Sequence, residues 1–124
     1  FADEKETLAA IGEMKKSDQY ILDPHTAVAV KALAKYDKKQ GGRSVPAVIA
    51  ATANPYKFNR AVYEGIYGAG AANDMDEFAV SKALTETTGL AVHRGLVDLE
   101  KRDVRHKRVV AKTAMETAVA EILK

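Results

Sequence analysis

The chain contains no cysteine and no tryptophan. Without thiols it has neither a disulfide framework nor a thiolate metal site, which fits a reducing compartment such as the cytoplasm. No apolar run approaches the length of a membrane span or a signal sequence, so no membrane partner is expected. An excess of one charge is also missing: 19 Lys and Arg against 17 Asp and Glu leave a formal +2, too little to imply a polyanion partner. His25, His93 and His106 lie far apart in sequence and lack carboxylates at ligand spacing, so no metal is predicted. No aromatic residue follows Phe78. The one basic cluster, Arg102, Arg105, His106, Lys107 and Arg108, therefore lacks the interleaved rings that nucleic-acid binding uses, and reads better as a solvated strand edge.

What remains is the composition of a globular domain, 47% apolar and 29% charged over 124 residues, enough for one domain at most. Asp3 followed by Glu6 makes a capping-box pattern, and Leu8 and Ile11 mark the buried side of a helix that frays near Ser17. Tyr20 to Leu22 reads as a brief extended segment. Asp23 then caps a second helix whose first residue is Pro24, with Ala27, Val30, Leu33 and Ala34 as its stripe and Gly41 and Gly42 after it. Gly68 to Asn73 reads as a flexible link, a hinge or loop. Asp74 is taken to open a helix through about Thr88, closed by Gly89, with Phe78 and Leu84 in the core. Leu96 and Leu99 point to one short helical turn, and Val104 to Ala111 reads as extended. Thr113 and Glu116 form another capping-box pattern, ahead of a buried stripe of Met115, Val119, Ile122 and Leu123.

The most informative stretch runs from Val45 to Phe58, VPAVIAATANPYKF. Its continuous apolar run suits a strand covered on both faces, as in a parallel sheet. Asn54 and Pro55 stop that strand and start a helix to about Tyr67, in which Phe58, Val62 and Ile66 recur every four residues, Tyr63 and Tyr67 widen the stripe, and Lys57, Arg60 and Glu64 stay wet. The fold class is thus read as α/β, a helix-rich segment with a short, mostly parallel sheet. Ligands of such sheets collect at the carboxyl ends of strands, which places Ala50, Ala51, Thr52 and Ala53 at a binding position. The same pattern also fits an ordinary strand, turn and helix without a ligand. A second candidate is the helix start at Asp23, Pro24, His25 and Thr26, whose free N–H groups suit an anion, with His25 as a proton carrier or substrate contact. The plain alternative makes Asp23 only a cap and His25 an exposed helix residue.

A resemblance sharpens these readings. ATANPYKF is similar to the ATAHPAKF-type segment of threonine synthases, pyridoxal-phosphate enzymes of fold type II. YILDPHTAVAV, from Tyr20 to Val30, is similar to that family's Y-x-x-DPHTAVG segment, and FADEKETLAAI resembles the FADEETLATI-like helix start before it. Order and spacing agree, closely through Phe58 and more loosely beyond Gly68. Asn54 stands where the family pattern has His. The resemblance implies that residues 1–124 are a single C-terminal portion of a larger cofactor-binding domain. It implies pyridoxal 5'-phosphate as cofactor of the intact enzyme, O-phosphohomoserine as small-molecule substrate, and β,γ-replacement to threonine and phosphate as the reaction.

By the same resemblance, Thr52 would hydrogen-bond the pyridine nitrogen of the cofactor, and Asp23, His25, Thr26, Ala53, Asn54 and Lys57 would line the site. Lys57 matches the family's PxKF lysine and reads as a solvated lysine or an anion contact. The Schiff-base lysine would lie upstream, so no catalytic residue is assigned within these residues. Two other readings stay open: another fold type II lyase of the threonine or serine dehydratase kind, and a non-enzymatic binding module. Phe1 is not a natural start residue, so the chain is expected to be a fragment or a processed product, inactive alone. The remainder of the parent enzyme is the expected partner, and self-association of the fragment follows from faces which that remainder would have covered.

Overall fold

The computed structural model describes residues 1–124, and its only regular elements are helices. Five α-helices form: α1 (Glu4–Asp18), α2 (Pro24–Gln40), α3 (Asn59–Tyr67), α4 (Glu77–Thr88) and α5 (Met115–Ile122). Short 3₁₀ turns at Pro55–Phe58, Leu99–Lys101 and Lys112–Ala114 join them. α1 packs against α2 and α3, and α3 packs against α4. α5 packs chiefly on the 3₁₀ turn that precedes it.

The first two helices begin as their sequences dictate. At α1 the Glu6 N–H donates to Asp3 Oδ1 at 2.8 Å and the Asp3 N–H donates to Glu6 Oε2 at 3.0 Å, a complete capping box. Lys35 reaches back from α2 to the same Glu6 carboxylate at 2.6 Å and to the Phe1 carbonyl at 2.9 Å, fastening the amino terminus. That ammonium holds the Glu6 carboxyl below its ordinary range. α2 starts at Pro24 with Asp23 as its cap. Gly41 and Gly89 end α2 and α4 in the left-handed conformation.

Where α1 crosses α3 the two backbones almost touch. A Cβ added to Gly12 would lie 2.3 Å from the Gly65 carbonyl oxygen, and one added to Gly65 would lie 2.9 Å from Ile11 Cβ and 3.0 Å from the Leu8 carbonyl oxygen. Around this crossing Ala10, Ile11, Leu22, Ala27, Tyr56, Val62 and Leu84 form the core. Fourteen residues of the chain are buried, so the loss of any one of these contacts is a large fraction of the whole.

Asn59 and Arg60 then tie α3 to α4. The Asn59 amide donates to the Glu77 carbonyl at 2.6 Å and to Ser81 Oγ at 2.7 Å. Arg60 pairs with Glu77 at 2.8 Å and donates to the Ala72 and Met75 carbonyls, each at 2.6 Å. The Gly68–Asn73 link, read from sequence as flexible, is instead a series of tight turns held by that guanidinium, and Arg60 is a bridge rather than a wet surface residue.

The short, mostly parallel sheet expected from the sequence does not exist. No strand forms in residues 1–124. The apolar run after Val45 is extended but alone: residues 43–53 enter no backbone hydrogen bond within the chain, and Val48 is 94% exposed. A strand needs a neighbour along its whole edge, and the chain supplies none. Val104 to Ala111 is likewise exposed and forms no strand, its one backbone bond being the turn from the Ala114 N–H to the Ala111 carbonyl, so there is no strand edge for its basic residues to guard. Tyr20 to Leu22 is a short link between α1 and α2.

Three smaller expectations also change. α4 is capped by Asp76, not Asp74, through bonds to the Phe78 and Ala79 N–H groups. Phe78 lies on the outside of that helix, whereas Val80 and Leu84 are buried. The capping box proposed at Thr113 does not form; α5 begins at Met115 without a side-chain cap, and its stripe of Met115, Val119, Ile122 and Leu123 is exposed because no helix of the chain comes to meet it.

Two measurements check this architecture. Gly12→Ala and Gly65→Ala should each lower stability by about 1–3 kcal/mol in urea unfolding. That loss comes in spite of the helix propensity of about 1 kcal/mol that Ala gains over Gly. Asp23→Ala should cost about 1–2 kcal/mol near neutral pH. Burial pushes the Asp23 carboxyl up, but the Thr26 hydroxyl and N–H, the His25 N–H and the His25 ring outweigh it and leave the carboxyl below its ordinary range. Its contribution is therefore complete above the unfolded-state value and disappears as pH falls through the lower folded-state value. The stability gap between the native chain and Asp23→Ala should accordingly narrow in acid.

Candidate functional site

The Asn54–Pro55 step folds as its residues require. Asn54 Oδ1 accepts the Tyr56 N–H at 3.0 Å, and Pro55 opens the 3₁₀ turn that leads into α3. Tyr56 is buried, and its hydroxyl meets Thr85 Oγ1 at 2.7 Å and donates to the Leu90 carbonyl. One phenol thus fixes this turn to α4 and to the segment that follows α4. The placement of every side chain on the turn depends on it.

That segment folds back opposite the turn. The Leu96 N–H donates to the His93 carbonyl at 2.8 Å, and the Gly95 N–H donates to His93 Nδ1 at 3.1 Å. Because Nδ1 accepts, the neutral ring carries its proton on Nε2. Between the two turns lies a cavity of about 340 Å³, with Thr52, Ala53, Asn54 and Lys57 on one wall and His93, Gly95 and Leu96 on the other. Its polar side chains are a hydroxyl, an amide, an ammonium and an imidazole, with no carboxylate among them.

A larger groove of about 1050 Å³ runs beside α4 and shares Lys57 and Leu96 with the cavity. It is acidic on balance, since Asp76, Glu77, Glu86, Asp98 and Glu100 line it against Lys57 and Lys82.

The structure therefore brings together four of the seven site residues read from the sequence: Thr52, Ala53, Asn54 and Lys57. Asp23, His25 and Thr26 do not line the cavity. The Asp23 carboxylate accepts the His25 N–H at 2.9 Å, the Thr26 N–H at 3.3 Å and the Thr26 hydroxyl, and stands 3.3 Å from His25 Nδ1. With those bonds made and the residue buried, its carboxylate holds its own helix start. The His25 ring, its side chain 67% exposed, meets the Phe58 ring edge-on at 4.7 Å and so touches the back of the turn that carries Lys57.

Sequence reasoning missed Tyr56, Asn59 and His93. Tyr56 and Asn59 act on residues 18 or more positions away, and no local pattern announces such partners. His93 lay in a stretch without periodicity, and only the fold sets it opposite Thr52. No group of three or more His, Asp or Glu gathers where it could hold a metal ion. No helix is long and apolar enough to cross a membrane.

Comparison with known proteins agrees with the motifs. The family described as "Threonine synthase, C-terminal" matches residues 26–122. The threonine synthase of Schizosaccharomyces pombe is 40% identical over 57 residues, 46% of this chain and 11% of that protein. The mouse (Mus musculus) protein named threonine synthase-like 1 is 48% identical over 63 residues, 51% of this chain and 8% of that protein. The aligned stretches span 11% and 8% of the lengths of these curated relatives. With the family match running from the start of α2 to the end of α5, the chain belongs to the threonine synthase C-terminal family.

Proposed function

We propose that this chain is the C-terminal part of a threonine synthase, which converts O-phosphohomoserine and water to threonine and phosphate with pyridoxal 5'-phosphate. The observation that carries the reading is the gathering of Thr52, Ala53, Asn54 and Lys57 of the family-like segment on one cavity. The donor set fits the cofactor. Thr52 Oγ1 is a neutral hydroxyl on a wall without carboxylates, suited to a ring nitrogen that stays unprotonated. When bound, the cofactor supplies an electron sink beside its ring, and a hydroxyl at the nitrogen tempers that sink.

The other residues act by position. Ala53 is too small to crowd a planar ligand. Asn54, where the family pattern has His, spends its oxygen on the Tyr56 N–H and so shapes the turn instead of titrating. Lys57 enters no ion pair and keeps its charge free at the cavity wall. Asp23 and Thr26 fix the α2 start, from which His25 supports Phe58. The lysine that engages the cofactor belongs to another part of the enzyme, so residues 1–124 alone are inactive. The same remainder is the partner that covers Val45, Val48 and the outer face of α5.

The test is Thr52→Ala in the enzyme that carries this segment. Loss of one hydrogen bond to the ring should shift the cofactor absorbance and lower turnover of O-phosphohomoserine about tenfold. Threonine and serine as control substrates distinguish this reaction from a dehydratase. An unchanged spectrum with unchanged turnover contradicts the assignment.

A further inference from the structure

The reading above uses Thr52 and leaves the two basic groups of the cavity without a task. Each polar side chain there carries a hydrogen-bond donor that no atom of the chain accepts. Asn54 uses its oxygen on Tyr56 and leaves its Nδ2 free. His93 uses Nδ1 on the Gly95 N–H and leaves Nε2–H free. The Lys57 ammonium and the Thr52 hydroxyl make no hydrogen bond within the chain. Thr52, Lys57 and His93 are exposed, so water meets these donors in the free chain, and a ligand with several acceptor oxygens can take its place. The chain has 17 carboxylates, yet none lines this hollow, while five line the groove beside it.

We infer that the cavity between the Thr52–Lys57 turn and the His93–Leu96 turn is an anion subsite in which Lys57 and His93 hold a phosphate group. This rests on the proposed function in placing the ligand of this segment in that cavity, and it assigns to Lys57 and His93 a role distinct from the ring contact of Thr52. A phosphate monoester offers three terminal oxygens and up to two negative charges, which suits several separate donors better than a flat carboxylate with two oxygens. Lys57 supplies the point charge. His93 supplies a donor whose direction is set by its own turn, since the Gly95 N–H holds the opposite edge of the ring. The acidic groove beside the cavity repels the same ligand and confines it to the donor-lined side.

The experiment is an NMR titration of the 124-residue chain with inorganic phosphate, following the His93 ring, the Lys57 ammonium and the backbone amides. Saturable shifts centred on Lys57 and His93 are expected, and Lys57→Gln and His93→Gln should each weaken binding about tenfold. Lys57→Gln leaves the His93 turn intact, so its loss of binding cannot be assigned to a disturbed fold; the amide spectrum of each variant verifies this. Shifts centred on His25 and Thr26 at the α2 start, shifts that do not saturate, or variants that bind as tightly as the native chain would overturn the subsite.

The two readings fail separately. Phosphate held by Lys57 and His93, together with an unchanged cofactor spectrum in Thr52→Ala enzyme, removes the ring contact and leaves the anion subsite standing. A changed spectrum without phosphate binding does the reverse.

Discussion

The approach of α1 to α3 at Gly12 and Gly65 is the constraint on which the other contacts depend. With a hydrogen in place of each side chain, the Gly65 carbonyl comes to a position that a Gly12 Cβ would occupy. The helices then lie close enough for Ile11 and Val62 to be fully buried. Small residues at a crossing give up packing area of their own and gain it for their neighbours. α3 is the continuation of the Pro55–Phe58 turn, so its seat on α1 fixes the height of that turn and of Thr52 to Lys57 before it. α4 follows, because Asn59 and Arg60 bind it and its preceding loop to α3.

The candidate site is thus built at second hand. None of Thr52, Lys57 and His93 is held by a partner of its own across the cavity; each is carried by a turn that something else anchors. Tyr56 anchors one turn through Thr85 and the Leu90 carbonyl, and the bonds from the Gly95 and Leu96 N–H groups to His93 close the other. Such a site keeps its polar groups free for a ligand, which is what a binding wall requires and a stable core avoids. Asp23 stands apart from this cavity: its carboxylate accepts from the α2 start, and His25 beside it meets the Phe58 ring.

Local signals in the sequence carried far. The Asp3/Glu6 capping box, the Asp23–Pro24 start, the Asn54–Pro55 start and the closing Gly89 all stand where their chemistry places them, because each depends on residues within a turn of one another. Thr52, Ala53, Asn54 and Lys57 line one cavity because they are consecutive or nearly so. Signals that need a distant partner failed. The Val45–Ala51 run has the composition of a buried strand, but composition does not supply a neighbouring strand, and the α5 stripe has helical spacing but no surface to cover. His93 was illegible because its importance is purely spatial.

The central claim is that residues 1–124 form a helical body, α1 to α4, organised by the Gly12/Gly65 crossing, while the apolar run after Val45 stays unpaired. Residue-resolved hydrogen exchange of the 124-residue chain tests it most directly. The account predicts the slowest exchange at Ile11, Val62, Val80 and Leu84, with fast exchange through Val48 to Ala51 and through α5. Strong protection of the Val48–Ala51 amides, at the expense of α1 and α3, would contradict it.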